Sequence, residues 1–213
     1  WIRLCIQYHD KECIGDRNPQ EIKGLKLIDC GTRKVIRGGV GMKWVALSYV
    51  WSLATPRARS SPKRAPCELQ QGEVHLPECL PGVISDAMEA TVALGYQYLW
   101  ADQFCIDQSD KDEVADQVGK MDKIYRGAVL TIVSVSSRNG LPGGAALPRK
   151  PSQCVTVGKT NFFVAKMDPV SDIEKSTWQT RGWCYQEEML SRRRLYFTEE
   201  GVLFKCHNTT CYE

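Results

Sequence analysis

Glu187 and Trp183 stand four residues apart in TRGWCYQEEML (180–190), a spacing that puts both side chains on one side of a helix. A carboxylate held there can serve catalysis, or it can pair with Arg181 or a lysine and only brace the helix. Arg181 itself can clamp a phosphate or carboxylate, or belong to that structural pair. Gly182 costs such a helix roughly 1 kcal/mol against Ala. Either it precedes the first full turn or something approaches its backbone. Ser48, Tyr49 and Trp51 follow the apolar run WVALSYV (44–50). At a strand end a hydroxyl can meet a phosphate or ribose, and an aromatic can stack on a base; core packing is the alternative for the two rings. Asp102, Asp107 and Gln108 flank a second run, YQYLWA (96–101). Ribose binding and helix capping both suit them, and capping is expected for at least one.

Cys5, His9 and Cys13 recur at i, i+4 and i+8. On one helical face they offer three zinc ligands, with Cys30 or another residue as the fourth. A buried amphipathic helix with a surface histidine explains the same spacing without a metal, and no metal is expected. A Cys–His nucleophile is poorly supported, because His9, His75 and His207 all lie far in sequence from Cys105 and Cys184. No GxGxxG or Walker pattern follows a strand, and the NTT sequon at 208–210 carries no weight in a cytosolic chain.

The elements that must position these residues follow from the hydrophobic pattern. LKLIDCGTRKVI (25–36) reads as a hairpin, and WVALSYV as a buried strand. Residues 52–73, rich in Ser, Pro and Arg, read as an exposed loop. In LPGVISDAMEATVALG, Val83, Ala87, Met88, Thr91, Val92 and Leu94 fall near helical spacing, between Pro81 and Gly95. The strand YQYLWA comes next, then one helical face of Val114, Val118, Met121 and Tyr125, then the β-branched strand VLTIVSVSS (129–137). CVTVGKTNFFVAK reads as an inserted hairpin, and RLYFTEEGVLFKC as a closing hairpin that turns at Glu200-Gly201. Alternation of strand and helix through the centre predicts an α/β fold with a mainly parallel sheet, whose ligands bind outside the carboxyl ends of the strands. Those ends carry SYVWS, ADQFCIDQ and SVSSRNG.

With 213 residues, 43% of them hydrophobic, the chain suits one globular domain. It divides into an N-terminal helix and hairpin (1–43), an α/β core (44–137), a loop and hairpin insertion (138–175) and the motif helix with its hairpin (176–213). A net charge of +3 is too small to imply nucleic acid. The basic clusters Arg57, Arg59, Lys63, Arg64 and Arg192, Arg193, Arg194 read as solvated. No apolar stretch is long enough to span a membrane, and no secretory signal is visible. The chain begins at Trp1 without a methionine, as a trimmed chain would. Ten cysteines without a CxxC, in a chain of this size, read as free thiols of a reduced, cytoplasmic protein.

Three ordered blocks resemble the heterokaryon incompatibility (HET) domain of fungal proteins: VALSYVWS (45–52), LGYQYLWADQFCIDQ (94–108) and STWQTRGWCYQEEML (176–190). The resemblance extends from about residue 25 to about residue 206. Ser52 stands where the family usually has Gly, and Ala101 and Phe104 replace its commoner aliphatics. HET domains are distantly similar to TIR domains, which implies a TIR-like (flavodoxin-like) sheet flanked by helices, with added β-hairpins. ALSYVWS resembles the first TIR strand, and RGWCYQEE the helix whose Trp-Cys-x-x-Glu glutamate serves NAD cleavage in the enzymatic members. By position that residue is Glu187; Glu188 stands where the TIR pattern has an aliphatic.

The nicotinamide–ribose bond breaks with little acid catalysis, because its leaving group is already a cationic pyridinium. One carboxylate that holds the ribose and stabilises an oxocarbenium-like centre is sufficient. The resemblance thus implies an NAD(P) glycohydrolase that triggers cell death, with NAD or NADP as substrate and no cofactor. Glu187 would be the catalytic carboxylate. Trp51 and Trp183 would shape the pocket, and Ser48, Asp102 and Arg181 would contact the ligand. Self-association or a partner protein would activate it. The rival expectation is a non-catalytic signalling module that works by self-association. No nucleic-acid or membrane partner is expected.

Overall fold

The computed structural model describes residues 1–9, 13, 21–51, 74–136, 138–148, 154–163 and 169–213. Nine strands form one sheet in the order β11-β10-β9-β6-β3-β5-β1-β2-β4. Its centre is four parallel strands: β5 (Tyr98–Trp100), β3 (Trp44–Ser48), β6 (Leu130–Ser134) and β9 (Arg193–Phe197). Every residue of β3 and β6 is buried, as parallel strands covered on both faces must be.

Both flanks are antiparallel. On one side β1 (Lys26–Asp29), β2 (Lys34–Arg37) and β4 (Val74–His75) extend from β5. On the other, β10 (Val202–Cys206) and β11 (Thr210–Tyr212) extend from β9. The sheet is therefore mixed rather than mainly parallel. Five of the eight strand pairings are antiparallel because the hairpins add to its edges instead of packing elsewhere. β7 (Cys154–Val157) and β8 (Thr160–Phe163) pair only with each other, as an inserted hairpin should.

Within the parallel centre, strand order reverses between β3, the first in the chain, and its neighbours β5 and β6. In open α/β sheets such a reversal is where ligands bind, outside the carboxyl ends of the strands. Helix α1 (Ile2–Tyr8) precedes the sheet. α2 (Gly82–Ala93) buries Val83, Ile84, Ala87, Met88 and Thr91, a stripe of helical period, whereas Val92 is 54% exposed and belongs to the outer side. Gly95, at φ +85°, ends it in the left-handed region that glycine enters without strain. Asp86, also buried, accepts from the N–H groups of Leu141 (2.9 Å) and Ala146 (3.0 Å), and so ties the 138–148 loop down onto α2.

A short α3 (Asp102–Cys105) follows β5. The single helical face expected after it is two helices, α4 (Lys111–Val118) and α5 (Met121–Gly127). Gly119 and Lys120 break the face, which turns Ile124 and Tyr125 into the core. Gly127 has to be glycine: a Cβ would come within 2.8 Å of the Trp44 ring, whose indole N–H donates to the Ile124 carbonyl (3.2 Å). α6 (Pro169–Glu174) and α7 (Gly182–Leu190) precede β9.

The eight cysteines whose side chains are described are all free, and Cys105 and Cys184 are buried, with thiols that burial pushes up to about 12. The basic run at 192–194 departs from expectation: Arg193 and Arg194 are 5% and 6% exposed. β9 is covered on both faces, and backbone carbonyls capture the guanidiniums. The loop cluster of Arg57, Arg59, Lys63 and Arg64 lies outside the described residues.

Candidate functional site

α7 begins at Gly182, with Arg181 extended at its N-cap, and a Cβ on Gly182 would meet nothing within 4 Å. Gly182 is thus a helix start and not a point of close approach. The helix turns Cys184 and Glu187 inward, three residues apart, and leaves Trp183, Tyr185 and Met189 outside at 51%, 57% and 61% exposure. Ser191 fixes the far end. Its hydroxyl donates to the Glu187 carbonyl (2.6 Å) and shares a hydrogen bond with Thr131 of β6 (2.7 Å). The backbone of Glu187 is thereby referenced to the central sheet.

Its carboxylate meets Ser48, the last residue of β3. The Ser48 hydroxyl donates to Glu187 Oε2 and accepts from the indole N–H of Trp178 (2.8 Å). From α5, the Tyr125 hydroxyl donates to the Leu47 carbonyl (3.3 Å) and acts on Glu187 from close by. Glu187 is 8% exposed and makes no close ion pair among the described residues. Burial, the largest cause, pushes it up to about 7; the Ser48 and Tyr125 hydroxyls and the charge of Arg181 oppose that, and the charge of Asp102 adds to it.

Asp102, at the start of α3, accepts from the Trp51 indole N–H (3.0 and 3.1 Å) and from the Gln103 backbone N–H (2.7 Å). Burial pushes it up to about 6 despite these bonds. The two acids interact electrostatically, and Arg181 acts on both from a distance without a hydrogen bond or ion pair of its own among the described residues. Two acids, one buried and one half-buried, whose surroundings raise both toward neutral pH are a frequent mark of a functional site.

Ser48, Asp102 and Glu187 come together, with Trp51 hydrogen-bonded to Asp102 and 40% exposed. Tyr49 is buried, and its hydroxyl donates to Gln103 Oε1 (2.8 Å); its neighbours place it among the same acids, as core rather than open wall. Trp183 stands on the outer side of α7. Asp107 accepts from the backbone N–H and hydroxyl of Ser109 (3.0 and 2.6 Å), and Gln108 donates to the Asp102 and Ile106 carbonyls (3.0 and 3.4 Å). Both shape the 106–110 turn. The cap of α4 is Asp110, which accepts from the Asp112 and Glu113 N–H groups.

Trp178 and Tyr125 were not among the residues expected at the site. Trp178 falls within the third block of the sequence, and Tyr125 looked like one more apolar position of a helical stripe. The two cavities described, around Leu25–Trp44 and Gly95–Tyr98, sit at the amino ends of the parallel strands and include none of Ser48, Asp102 and Glu187. The stretch that follows Trp51 lies outside the described residues.

A second polar cluster is at the opposite end of the sheet. Cys5, His9, Cys13 and Cys206 bring their ligand atoms within 4.8 Å of one another. The fourth member is Cys206 rather than Cys30. Nor are the first three on one helical face: α1 ends at Tyr8, and His9 is extended (φ −92°, ψ 159°).

Fold and site together define a mixed α/β domain with a buried glutamate and a half-buried aspartate at the carboxyl ends of its parallel strands. The chain belongs to the heterokaryon incompatibility protein (HET) family, whose model matches residues 44–187, from the first residue of β3 to Glu187 itself. Membership supports a role in heterokaryon incompatibility. No curated protein and no solved structure matches the chain. Among the described residues, no helix is long and apolar enough to cross a membrane.

Proposed function

We propose that this domain hydrolyses the nicotinamide–ribose bond of NAD or NADP, with Glu187 as the catalytic carboxylate. The carrying observation is the buried Glu187 at the carboxyl end of β3, held by the Ser48 hydroxyl and, among the described residues, by no close cation. Such a group is ready to meet a positive charge that develops on a ligand. In the step, the bond from ribose C1′ to the pyridinium nitrogen breaks and both electrons go to nitrogen. Nicotinamide leaves uncharged, water adds to C1′, and ADP-ribose (or its 2′-phosphate, from NADP) and a proton result. Glu187 stabilises the oxocarbenium-like centre between those events.

Ser48 aims the carboxylate. Asp102 holds the Trp51 indole, whose exposed ring can stack on a base, and Arg181 supplies charge for phosphate. The central order β5-β3-β6-β9 runs second, first, third, fourth along the chain, as in flavodoxin-like sheets, which supports the TIR comparison. In cells this activity would deplete NAD and kill, consistent with a role in incompatibility.

Purified domain should convert NAD to ADP-ribose and nicotinamide, faster when dimerised by a fused module. Glu187→Ala should lower the rate by roughly a hundredfold or more. A folded Glu187→Ala domain that still kills cells, with NAD untouched by either version, would defeat the proposal. That result would favour a signalling module acting by self-association, a reading to which the exposed Trp183, Tyr185 and Met189 on α7 lend support.

A further inference from the structure

We propose that Cys5, His9, Cys13 and Cys206 bind one structural zinc ion that staples the start of the chain to the β9–β10 hairpin. Three thiols and an imidazole converge on one point, and Cys5, Cys13 and Cys206 are 1%, 0% and 4% exposed and unpaired. Tetrahedral zinc, with bonds of about 2.3 Å to sulfur and 2.05 Å to nitrogen, sets its sulfur and nitrogen ligands about 3.5 Å apart. His9 Nδ1 lies 3.4 Å from Cys206 Sγ and 3.7 Å from Cys13 Sγ, on either side of that value. The extended backbone at His9 is what turns Nδ1 inward after α1 has ended.

Arg193 is the independent observation. It opens β9, pairs in register with Cys206 and is 5% exposed. Its guanidinium donates to Cys5 Sγ (3.2 Å) and to the Cys13 and Val129 carbonyls (2.6 and 2.9 Å), and among the described residues it meets no carboxylate. A buried cation needs a negative partner. Three thiolates and one Zn²⁺ leave one net negative charge beside it, and the Arg193 bond to Cys5 is the kind of outer-shell contact that orients a ligand. Four protein ligands leave no open position, so the ion holds structure and does no catalysis.

All four residues lie outside 44–187, the stretch matched by the family model. The staple closes a loop of nearly the whole chain, and through Arg193 and Ser191 it braces the end of α7.

The test uses the whole chain, purified without chelator and away from nickel resin. Elemental analysis should find about one zinc per chain. Replacement by Co²⁺ should give the intense visible bands of tetrahedral cobalt–thiolate. Stripping with a strong chelator should lower Tm by roughly 10 °C, reversed by added Zn²⁺. Cys206→Ser should reduce bound metal to about a tenth or less, while Cys211→Ser, outside the cluster, should keep it. Folded wild type that holds only traces of zinc, even after Zn²⁺ is added under reducing conditions, would overturn the proposal. So would a weak octahedral cobalt spectrum, or full metal content in Cys206→Ser. Should that variant fail to fold, the wild-type stoichiometry and cobalt spectrum decide alone.

Discussion

The two buried polar clusters sit at opposite ends of the same parallel strands and are electrostatic opposites. At the carboxyl ends, Glu187 is an acid held by Ser48 with no close cation among the described residues, so burial keeps its proton on up to about pH 7. At the amino end of β9, Arg193 is a cation held by carbonyls and a thiol, with no carboxylate partner among the described residues. A buried charge without its opposite is costly, and it persists where something else supplies the opposite. On the proposed function, that supplier is transient for Glu187, a positive centre on a reacting ligand. For Arg193 it is permanent, a metal held by thiolates. One end is arranged to react and the other to hold.

The largest expected effect attacks the reactive end. Glu187→Gln keeps size and hydrogen bonding but not charge, and should lower kcat for NAD hydrolysis by roughly 10²–10³, nearly as much as Ala. In the wild type, kcat/KM should rise with pH through about 7 as Glu187 ionises, with Asp102, Tyr49, Tyr125, Cys184 and Arg181 as the neighbouring titratable groups. Kinetics that stay flat across that range would mean that Glu187 is not the working group.

Next comes the holding end. Arg193→Met should cost about 3 kcal/mol in urea unfolding of zinc-loaded protein, and clearly less after chelation, because only the loaded cluster is anionic. Equal losses in both states would break the contrast between the clusters.

A smaller effect comes from linkage. Glu187 has a folded value of about 7, above the ~4.3 of an exposed glutamate. Between those values the folded state keeps a proton that the unfolded state has released, so stability falls as pH rises from about 4.5 to 7. Asp102, pushed up to about 6, acts in the same direction. Glu187→Gln should flatten this slope and be more stable than wild type at pH 7.5 by about 2 kcal/mol, while inactive. A steeper fall of stability in the variant would contradict the assignment.

The smallest effect is at the next residue. Glu188 accepts from the Tyr196 hydroxyl (2.8 Å) and lies 3.6 Å from Lys205 Nζ. Its side chain is 15% exposed, so Glu188→Ala should cost about 1 kcal/mol of stability and leave turnover unchanged. A loss of activity comparable to that of Glu187→Ala would remove the distinction between the neighbours.

Periodicity and spacing determined a good deal by themselves. The run at 44–48 had to be a doubly buried strand because it lacks polar alternation. Pro81 and Gly95 bracketed a helix because one fits its first turn and the other its end. The three blocks identified the family before any contact was known, and they contained Ser48, Asp102, Trp178 and Glu187. What local pattern cannot carry is partnership across the chain. Ser48 and Glu187 are 139 residues apart, and only the parallel pairing of β3 with β6 and the docking of α7 bring them together. Tyr125 reads as apolar until its hydroxyl finds Leu47 and Glu187, and the run at 192–194 reads as solvated until both faces of β9 are covered. Hairpins written as local signals do not say which sheet they will join, so the antiparallel flanks stayed hidden. Cys206 lies 193 residues from Cys13, and no spacing rule reaches that far; the chain's ends meet because β10 returns beside β9, where α1 is packed.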